Sequence, residues 1–589
     1  MRGTLFIGFL LLLKVSFGQS NYSVKVVPSD RPIGFFTKSF SYKEKVKDSV
    51  QAVLEAKNLF SKLRSEGYIA SSVDSIVADS SHAILYIYVG EKVDNIILRN
   101  GNVDDKLLGD AGVKYYVTSG KPIKMTDAEV VKDKLLQQCE NTGYPFASVK
   151  LDSFGRSGKT FTAKVYLDKH ELIRFDTIHI LGKTHIKKAF LKSYLGIKDG
   201  KPYNETVVKR ITQRLNELQF LQTIQPRTIE FMNGKAKLNV FVKDKKASQF
   251  DFLLGLLPGA SGQKVLITGD ITLHLFSPLG LGEDLYLQWQ KLQPKTQTLD
   301  IKVSYPYLLG LPLGISAKFN LYKADTSYVD VNGDYGLQYQ LAGSDYLRAS
   351  LKQKITIVTN VDTQYIIQYR ALPPNIDLLS NDFALEYFTQ RLDYRFNPTS
   401  GYTLTVNGSA GIRSIKKNSG ISQLYDEVGG QYFSYLYDSI KLKTFEFKLG
   451  LTVEKYWKLG ARQTIKTNFD GKYFFAPNIF QNEKYRLGGI SSLRGFDDQS
   501  IFTPYYAMGN VEYRFLISKN SFFGAFFNAA LVQNSLTQKG FDYPYGFGVT
   551  AAIETKFGVF GITYAMGTQL GNKITFNSAK IHFGYVNYF

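Results

Sequence analysis

Leu299–Tyr305 reads LDIKVSY, with Leu299, Ile301, Val303 and Tyr305 on one side of an extended chain and Asp300, Lys302 and Ser304 on the other. Successive side chains of a strand point to opposite faces, so this heptapeptide predicts a strand with one oily and one wet surface. The same division returns in Ile315–Leu321 (ISAKFNL), Thr403–Ile412 (TLTVNGSAGI) and Phe445–Val453 (FEFKLGLTV). From Ala247 to Phe589 helical periodicity is almost absent. A soluble sandwich alternates too, but a series this long without helices or domain breaks is better satisfied by a transmembrane barrel. Such a barrel turns apolar residues to lipid and lysine, glutamate and asparagine to a wet lumen, and closes so that its backbone groups are paired within the hydrocarbon. The 39 tyrosines and 43 phenylalanines of the chain suit interfacial girdles.

The 589 residues exceed one compact domain, so further units are expected ahead of the barrel. After the first 20 or so residues no apolar run reaches the roughly 20 residues a spanning helix needs. Met1, Arg2, the apolar Thr4–Leu13 (TLFIGFLLLL) and Ser16-Phe17-Gly18 read as a signal peptide at 1–18, cleaved after Gly18. No cysteine follows it to carry a lipid anchor.

The segment between repeats itself. Leu59–Ser75 (LFSKLRSEGYIASSVDS) and Leu135–Ser153 (LLQQCENTGYPFASVKLDS) each give an amphipathic helix, a Gly-Tyr stop at Gly67 or Gly143, and a short Ser-Val strand. One module length later the same transition occurs without glycine, at Gln219 in LNELQFLQTIQPRTIEF. Each copy closes on a strand ending in charges: Ala83–Lys92, Thr160–Lys169 and Ala236–Lys245. Modules at 22–91, 92–172 and 173–246 follow, each a small β-α-α-β-β sandwich, with glycine freeing the chain to turn from helix into strand.

Composition excludes much else. The lone cysteine, Cys139, rules out an internal disulfide framework and a multi-thiolate zinc site, and its place on the apolar side of a helical pattern predicts core packing. Of six histidines only His179 and His185 are close in sequence, which reads as ordinary surface placement and as no metal site. Neither a Gly-x-Ser-x-Gly elbow, nor a phosphate loop, nor a coherent acid/base set is visible, so no enzyme and no cofactor are expected. The net charge of +21 is spread along the chain, which points to anionic lipid head groups and away from nucleic acid.

Tyr485–Phe496 reads YRLGGISSLRGF and is followed by Asp497-Asp498 and the strand Met508–Leu516 (MGNVEYRFL). This stretch resembles the lumen-inserted loop of the BamA/TamA outer-membrane assembly superfamily, also called the bacterial surface antigen family. Three further features resemble that family: the repeated modules are similar to its POTRA domains; Ser277–Glu283 (SPLGLGE), Trp289 and Tyr305–Leu308 (YPYL) to its early barrel; and Ile581–Phe589 (IHFGYVNYF) to the terminal strand that targets such barrels. Asn587 departs from that terminal pattern, standing where an aromatic or apolar residue would suit the face of Phe583, Tyr585 and Phe589.

The resemblance implies a membrane β-barrel of about 16 antiparallel strands at 247–589, preceded by three POTRA-like modules. It implies that Gly488, Gly489, Leu493, Arg494, Gly495 and Phe496 form a loop inside the lumen, with Arg494 against an acidic or aromatic residue of the wall. Glu512 and Glu554 are both candidates for that partner, and Phe496 offers packing or a π face. The barrel should close at a separable seam between a first strand carrying Phe250 and Phe252 and a last carrying Gly584 and Phe589. The implied function is assembly of outer-membrane proteins: the periplasmic arm receives unfolded polypeptides, and the seam folds and inserts them. Implied partners are unfolded outer-membrane proteins, periplasmic or lipoprotein accessory factors, and outer-membrane lipid. A two-partner-type secretion pore is the alternative, and a passive porin or structural barrel a more distant one. Losing many barrel proteins on depletion, against losing one secreted protein, separates the first two.

Overall fold

Tyr22–Pro28 (YSVKVVP) buries Tyr22, Val24 and Val26 and turns Ser23 and Lys25 to water, so its alternation fixes which face meets the helices. It belongs to a computed structural model that describes residues 22–36, 40, 42–79, 81–157, 160–257, 266–293, 296–394, 397–490, 492–534, 540–555, 558–574 and 579–588. The signal segment at 1–18 and the terminal Phe589 lie outside the described residues.

Contacts divide the chain into two units: residues 1–174 with 202–206, and residues 175–201 with 207–589. The first unit holds two modules. In the first, Tyr22–Pro28 pairs in parallel with His82–Tyr88, and Lys45–Val46 and Ser72–Ala78 flank that pair. Helix Ser49–Ser65 is capped by Asp48, whose side chain accepts from the Gln51 amide at 2.8 Å, and it seats Ala52, Leu59 and Leu63 on the sheet. In the second, Asn95–Asn100 pairs in parallel with Thr160–Asp168, and helix Met125–Asn141 buries Ala128, Val131, Leu135 and Cys139. The thiol of Cys139 is thus core material.

Both modules depart from a plain β-α-α-β-β order: the first adds the short strand Lys45–Val46 ahead of its long helix, and the second is more broken up. Gly112 (φ +67°) and Gly120 (φ +68°) interrupt its helical run, leaving two short helices, Asp105–Asp110 and Lys114–Thr118, and an extra strand, Ile123–Lys124. The repeated glycines act where the helix exits. Gly67 and Gly143 sit at φ +102° and +105°, and their carbonyls accept from Val93 N at 2.9 Å and Ile173 N at 2.8 Å, so each presses on the chain entering the next module.

The second unit contains helices Lys188–Leu195 and Glu205–Glu217 of the third module, from Val207 onward, strands Leu221–Met232 and Lys235–Asp244, and the barrel. Sixteen long antiparallel strands among the described residues close the barrel, from Gln249–Leu257 to Lys580–Tyr588. Outward positions such as Leu337, Leu351, Leu385, Phe445, Val549 and Phe583 stay exposed, forming the oily exterior. Inward positions pair with one another: Arg348 forks onto Asp334 at 2.5 and 3.2 Å, Asn320 donates to Asp300 at 2.9 Å, and Lys448 bridges Asp382 and Glu446 at 3.0 and 2.8 Å. A cavity of about 900 Å³ remains in the lumen, lined by polar groups including Asp270, Gln288, Asp330, Lys354 and Lys472.

At the barrel end away from Gln249, where the first strand begins, residues 361–376 and 415–442 fold over the wall around Ile366, Ile376, Ile421, Phe433 and Tyr437. Arg413, fully buried beneath them, donates to Glu483 at 2.8 Å and to the carbonyls of Pro477 and Asn478 at 2.7 and 2.9 Å. No helix among the described residues is long and apolar enough to cross a membrane.

Candidate functional site: the lumen loop, the seam and the barrel entrance

The loop between strands Gln463–Phe475 and Tyr505–Leu516 turns back into the barrel. Its stem is a short hairpin in which Tyr485, Arg486 and Leu487 pair with Thr503, Phe502 and Ile501. Gly488 and Gly489 take φ +115° and +89°, and a β-carbon on either would overlap Asp497 or Asp498. Ser492 closes the turn, donating from Oγ to the Gly488 carbonyl at 2.8 Å and accepting from its amide at 2.9 Å. Leu493 and Phe496 pack into an apolar cluster with Leu487, Ile501, Tyr506, Met508, Ala530 and Val532. That cluster holds the loop against the wall and orients what lies between.

Arg494 lies between them. Its Nη1 donates to Glu512 Oε2 at 2.7 Å, its Nη2 to Asn510 Oδ1 at 2.7 Å, and its guanidinium stacks over the Phe526 ring 3.5 Å from the centroid. Of the two acidic candidates, Glu512 is therefore the one beside Arg494. Glu554 is not: it accepts from Asn520 at 2.8 Å, while the Arg494 backbone lies against Gly546, eight residues and about 26 Å along the same strand at ~3.3 Å per residue. The π face likewise comes from Phe526, and Phe496 supplies packing.

Several residues of this site carry no signal in the motif itself. Asn528 donates to the Arg494 carbonyl at 3.2 Å. Gly546 and Gly567 are bare because the loop lies on them; a β-carbon on Gly567 would stand 2.7 Å from the Phe496 ring. Gly495 (φ +98°) rests in turn on the Met566 backbone, 2.6 Å from where its own β-carbon would be. Arg486 grips the opposite wall, donating to Tyr328 Oη at 2.8 Å and Asp330 at 3.1 Å and stacking over Tyr322 at 3.9 Å. The loop therefore spans the lumen between two arginine anchors.

At the seam, Gln249↔Tyr588 and Phe250↔Asn587 are the register pairs among the described residues. On its other side the first strand pairs along its whole length, from Gln249↔His274 to Leu257↔Leu266. Phe252 pairs by its backbone with Ile271, and Gly584 faces Gly561 on the preceding strand, so neither is placed in the closing register. Asn587 occupies one of the two seam pairs.

The barrel entrance is built from the Ser277–Glu283 turn. Glu283 accepts from the backbone amides of Leu279 and Leu281, which shapes a pocket for Phe190 over Gly282. Lys187 N donates to the Gly280 carbonyl at 2.8 Å, and Phe190 meets Tyr307 edge-on at 5.8 Å. His185, expected as an ordinary surface residue, instead joins the third module to this turn: Nδ1 faces Asp244 Oδ2 at 2.8 Å and Nε2 faces the Ser277 carbonyl at 2.7 Å. The Asp244 carboxylate and the Ser277 carbonyl both favour the imidazolium, so the His185 pKa is raised. Among the described residues no three His, Cys, Asp or Glu side chains gather as a metal site.

The Omp85 superfamily domain matches residues 278–587, and the POTRA family, a surface antigen variable number repeat, matches residues 173–245. Among solved structures, CdiB from Acinetobacter baumannii is 12% identical, with 84% of this chain and 90% of that chain covered and a TM-score of 0.53. CdiB from Escherichia coli is 14% identical, with 92% and 98% covered and a TM-score of 0.52. BamA from Haemophilus ducreyi lacking POTRA domains 1–3 is 15% identical, with 84% and 99% covered and a TM-score of 0.43.

A sixteen-strand barrel preceded by POTRA modules defines an outer-membrane β-barrel protein. This chain belongs to the Omp85 superfamily. Its barrel resides in the Gram-negative outer membrane with the POTRA arm in the periplasm.

Proposed function

We propose that the protein is an outer-membrane protein assembly factor, which receives unfolded polypeptides in the periplasm and folds and inserts β-barrel proteins through a lateral seam. The observation that carries this reading is the closing register, which holds Gln249↔Tyr588 and Phe250↔Asn587 among the described residues. A backbone hydrogen bond lost in hydrocarbon costs several kcal/mol, so a long register would not part, whereas one this short parts at a cost an incoming strand repays by pairing with the edge. The Arg494–Glu512 contact holds the lumen loop against the strands just before the seam, keeping the wall rigid while the edge exchanges. No nucleotide and no catalytic residue take part. Periplasmic or lipoprotein accessory factors and outer-membrane lipid are the further partners.

Depletion tests the reading. Abundance of many barrel proteins should fall together in the outer membrane. Loss of a single exported protein, with other barrels unchanged, would point to a two-partner-type secretion pore. A Phe250→Cys/Asn587→Cys pair in a Cys139→Ala background supplies the second arm: oxidation should stop client insertion and reduction restore it.

A further inference from the structure

Glu512 is shared. While Oε2 accepts from Arg494, Oε1 accepts from Arg514 Nε at 2.7 Å. The Arg514 guanidinium lies over Phe522 at 4.6 Å and its Nη1 donates to Asn397 Oδ1 at 2.9 Å. Asn397 is 5% exposed and donates from Nδ2 to the Lys519 carbonyl at 3.1 Å. It belongs to the periplasmic turn between Leu378–Leu392 and Gly401–Ile415, whereas Lys519 belongs to the turn between Tyr505–Leu516 and Phe522–Gln533. Strands Lys443–Lys458 and Gln463–Phe475 stand between those two hairpins in the barrel order, so the Asn397 turn crosses the rim to reach its partners. At the other end of the chain of contacts, Asp497, three residues after Arg494, pairs with Lys580 of the last strand at 2.6 Å.

We propose that Asn397 is a positioning residue that couples the periplasmic rim to the lumen loop and, through Asp497, to the seam strand, and that an extended polypeptide backbone is the ligand that displaces it. The chemistry is specific. A primary carboxamide carries one acceptor and N–H donors in the geometry of a peptide group, so a client's backbone amide can accept from Arg514 and donate to the Lys519 carbonyl in its place. Arg514 has a forked guanidinium, and moving one arm shifts the other, which is fixed on the buried Glu512 carboxylate that also holds Arg494. Groups sharing one buried carboxylate respond together, not independently. The inference rests on the proposed function for the identity of its ligand but not for the coupling.

The test uses the full-length protein in detergent and in liposomes, with Asn397→Ala, Arg514→Lys and the double variant. Hydrogen exchange of residues 488–500 is measured together with the oxidation rate of the Phe250→Cys/Asn587→Cys pair in a Cys139→Ala background. Each single variant should raise loop exchange about fivefold, in line with typical couplings in a shared network, and the double variant should exceed neither. Asn397→Asp, which keeps the acceptor for Arg514, should retain loop protection, and Gly509→Ala should change nothing. Exchange confined to residues 393–400 and 517–521, or effects that add in the double variant, would overturn the coupling. Client insertion into liposomes is scored on the same samples. A chain that inserts clients with unaltered loop exchange overturns the coupling alone; loop coupling without insertion overturns the functional reading alone.

Discussion

The carbonyl oxygen of Arg494 occupies the place that a β-carbon on Gly546 would need. The loop and the wall are thus fitted to one another through an absent side chain as much as through the ion pair beside it.

Gly546→Ala should push the loop off the wall, with a cost of about 1–3 kcal/mol as in other overpacked sites. Gly509→Ala, on strand Tyr505–Leu516 and separated from the Gly546 strand by Phe522–Gln533, has open space around its β-carbon position and should be silent. Thermal unfolding in detergent, read as the loss of heat-modifiable mobility, distinguishes the two; equal behaviour would show that the loop does not press on Gly546.

Arg494→Ala leaves the Glu512 carboxylate inside the barrel with Arg514 as its remaining cation, and removing one partner of a buried pair costs about 3–5 kcal/mol. The cost should fall toward the lower end because Arg514 stays. Arg494→Lys keeps the charge but loses the fork to Asn510 and the stack on Phe526, so its stability should lie between alanine and the native chain. Unchanged mobility and client insertion in Arg494→Ala would remove the loop from the mechanism.

Glu483→Ala strips the carboxylate from a fully buried Arg413 and should loosen the extracellular cap at a similar cost of about 3–5 kcal/mol. Protease added from outside should then cut within residues 416–442 while the barrel stays folded. A cap as resistant as the native one would mean that Pro477 and Asn478 carbonyls satisfy Arg413 alone.

The junction between the third module and the barrel should respond to pH. His185 faces the carboxylates of Asp244 and, further off, Glu283, and its pKa lies above the ordinary 6.5. A raised folded-state value stabilises the docked form fully below about 6.5, and that stabilisation fades as pH rises through the higher value, because neutral imidazole can no longer donate to both Asp244 and the Ser277 carbonyl. Hydrogen exchange of Ser277–Gly282 should quicken with pH beyond its intrinsic rate, and His185→Gln should flatten the dependence. A native profile that matches His185→Gln would exclude the switch.

Periodicity and punctuation are written locally, and they carried most of the fold. LDIKVSY and its relatives assign one face of each strand to lipid, the helix-exit glycines at 67 and 143 mark the modules, and Arg494 among its glycines marks the loop. Each of these is a pattern within about ten residues, which a chain expresses whatever surrounds it. The partners of Arg494 were not legible in this way. Glu512 and Glu554 are both glutamates on strands that follow the loop, and only barrel closure and the path of the loop put one under the guanidinium and leave the other at the far end of its strand. The Phe526 stack, the second anchor at Arg486, the shared arm of Arg514 and the His185 junction all join residues brought together from separate strands and modules. Such contacts depend on where the chain returns in space, which the tertiary structure alone decides.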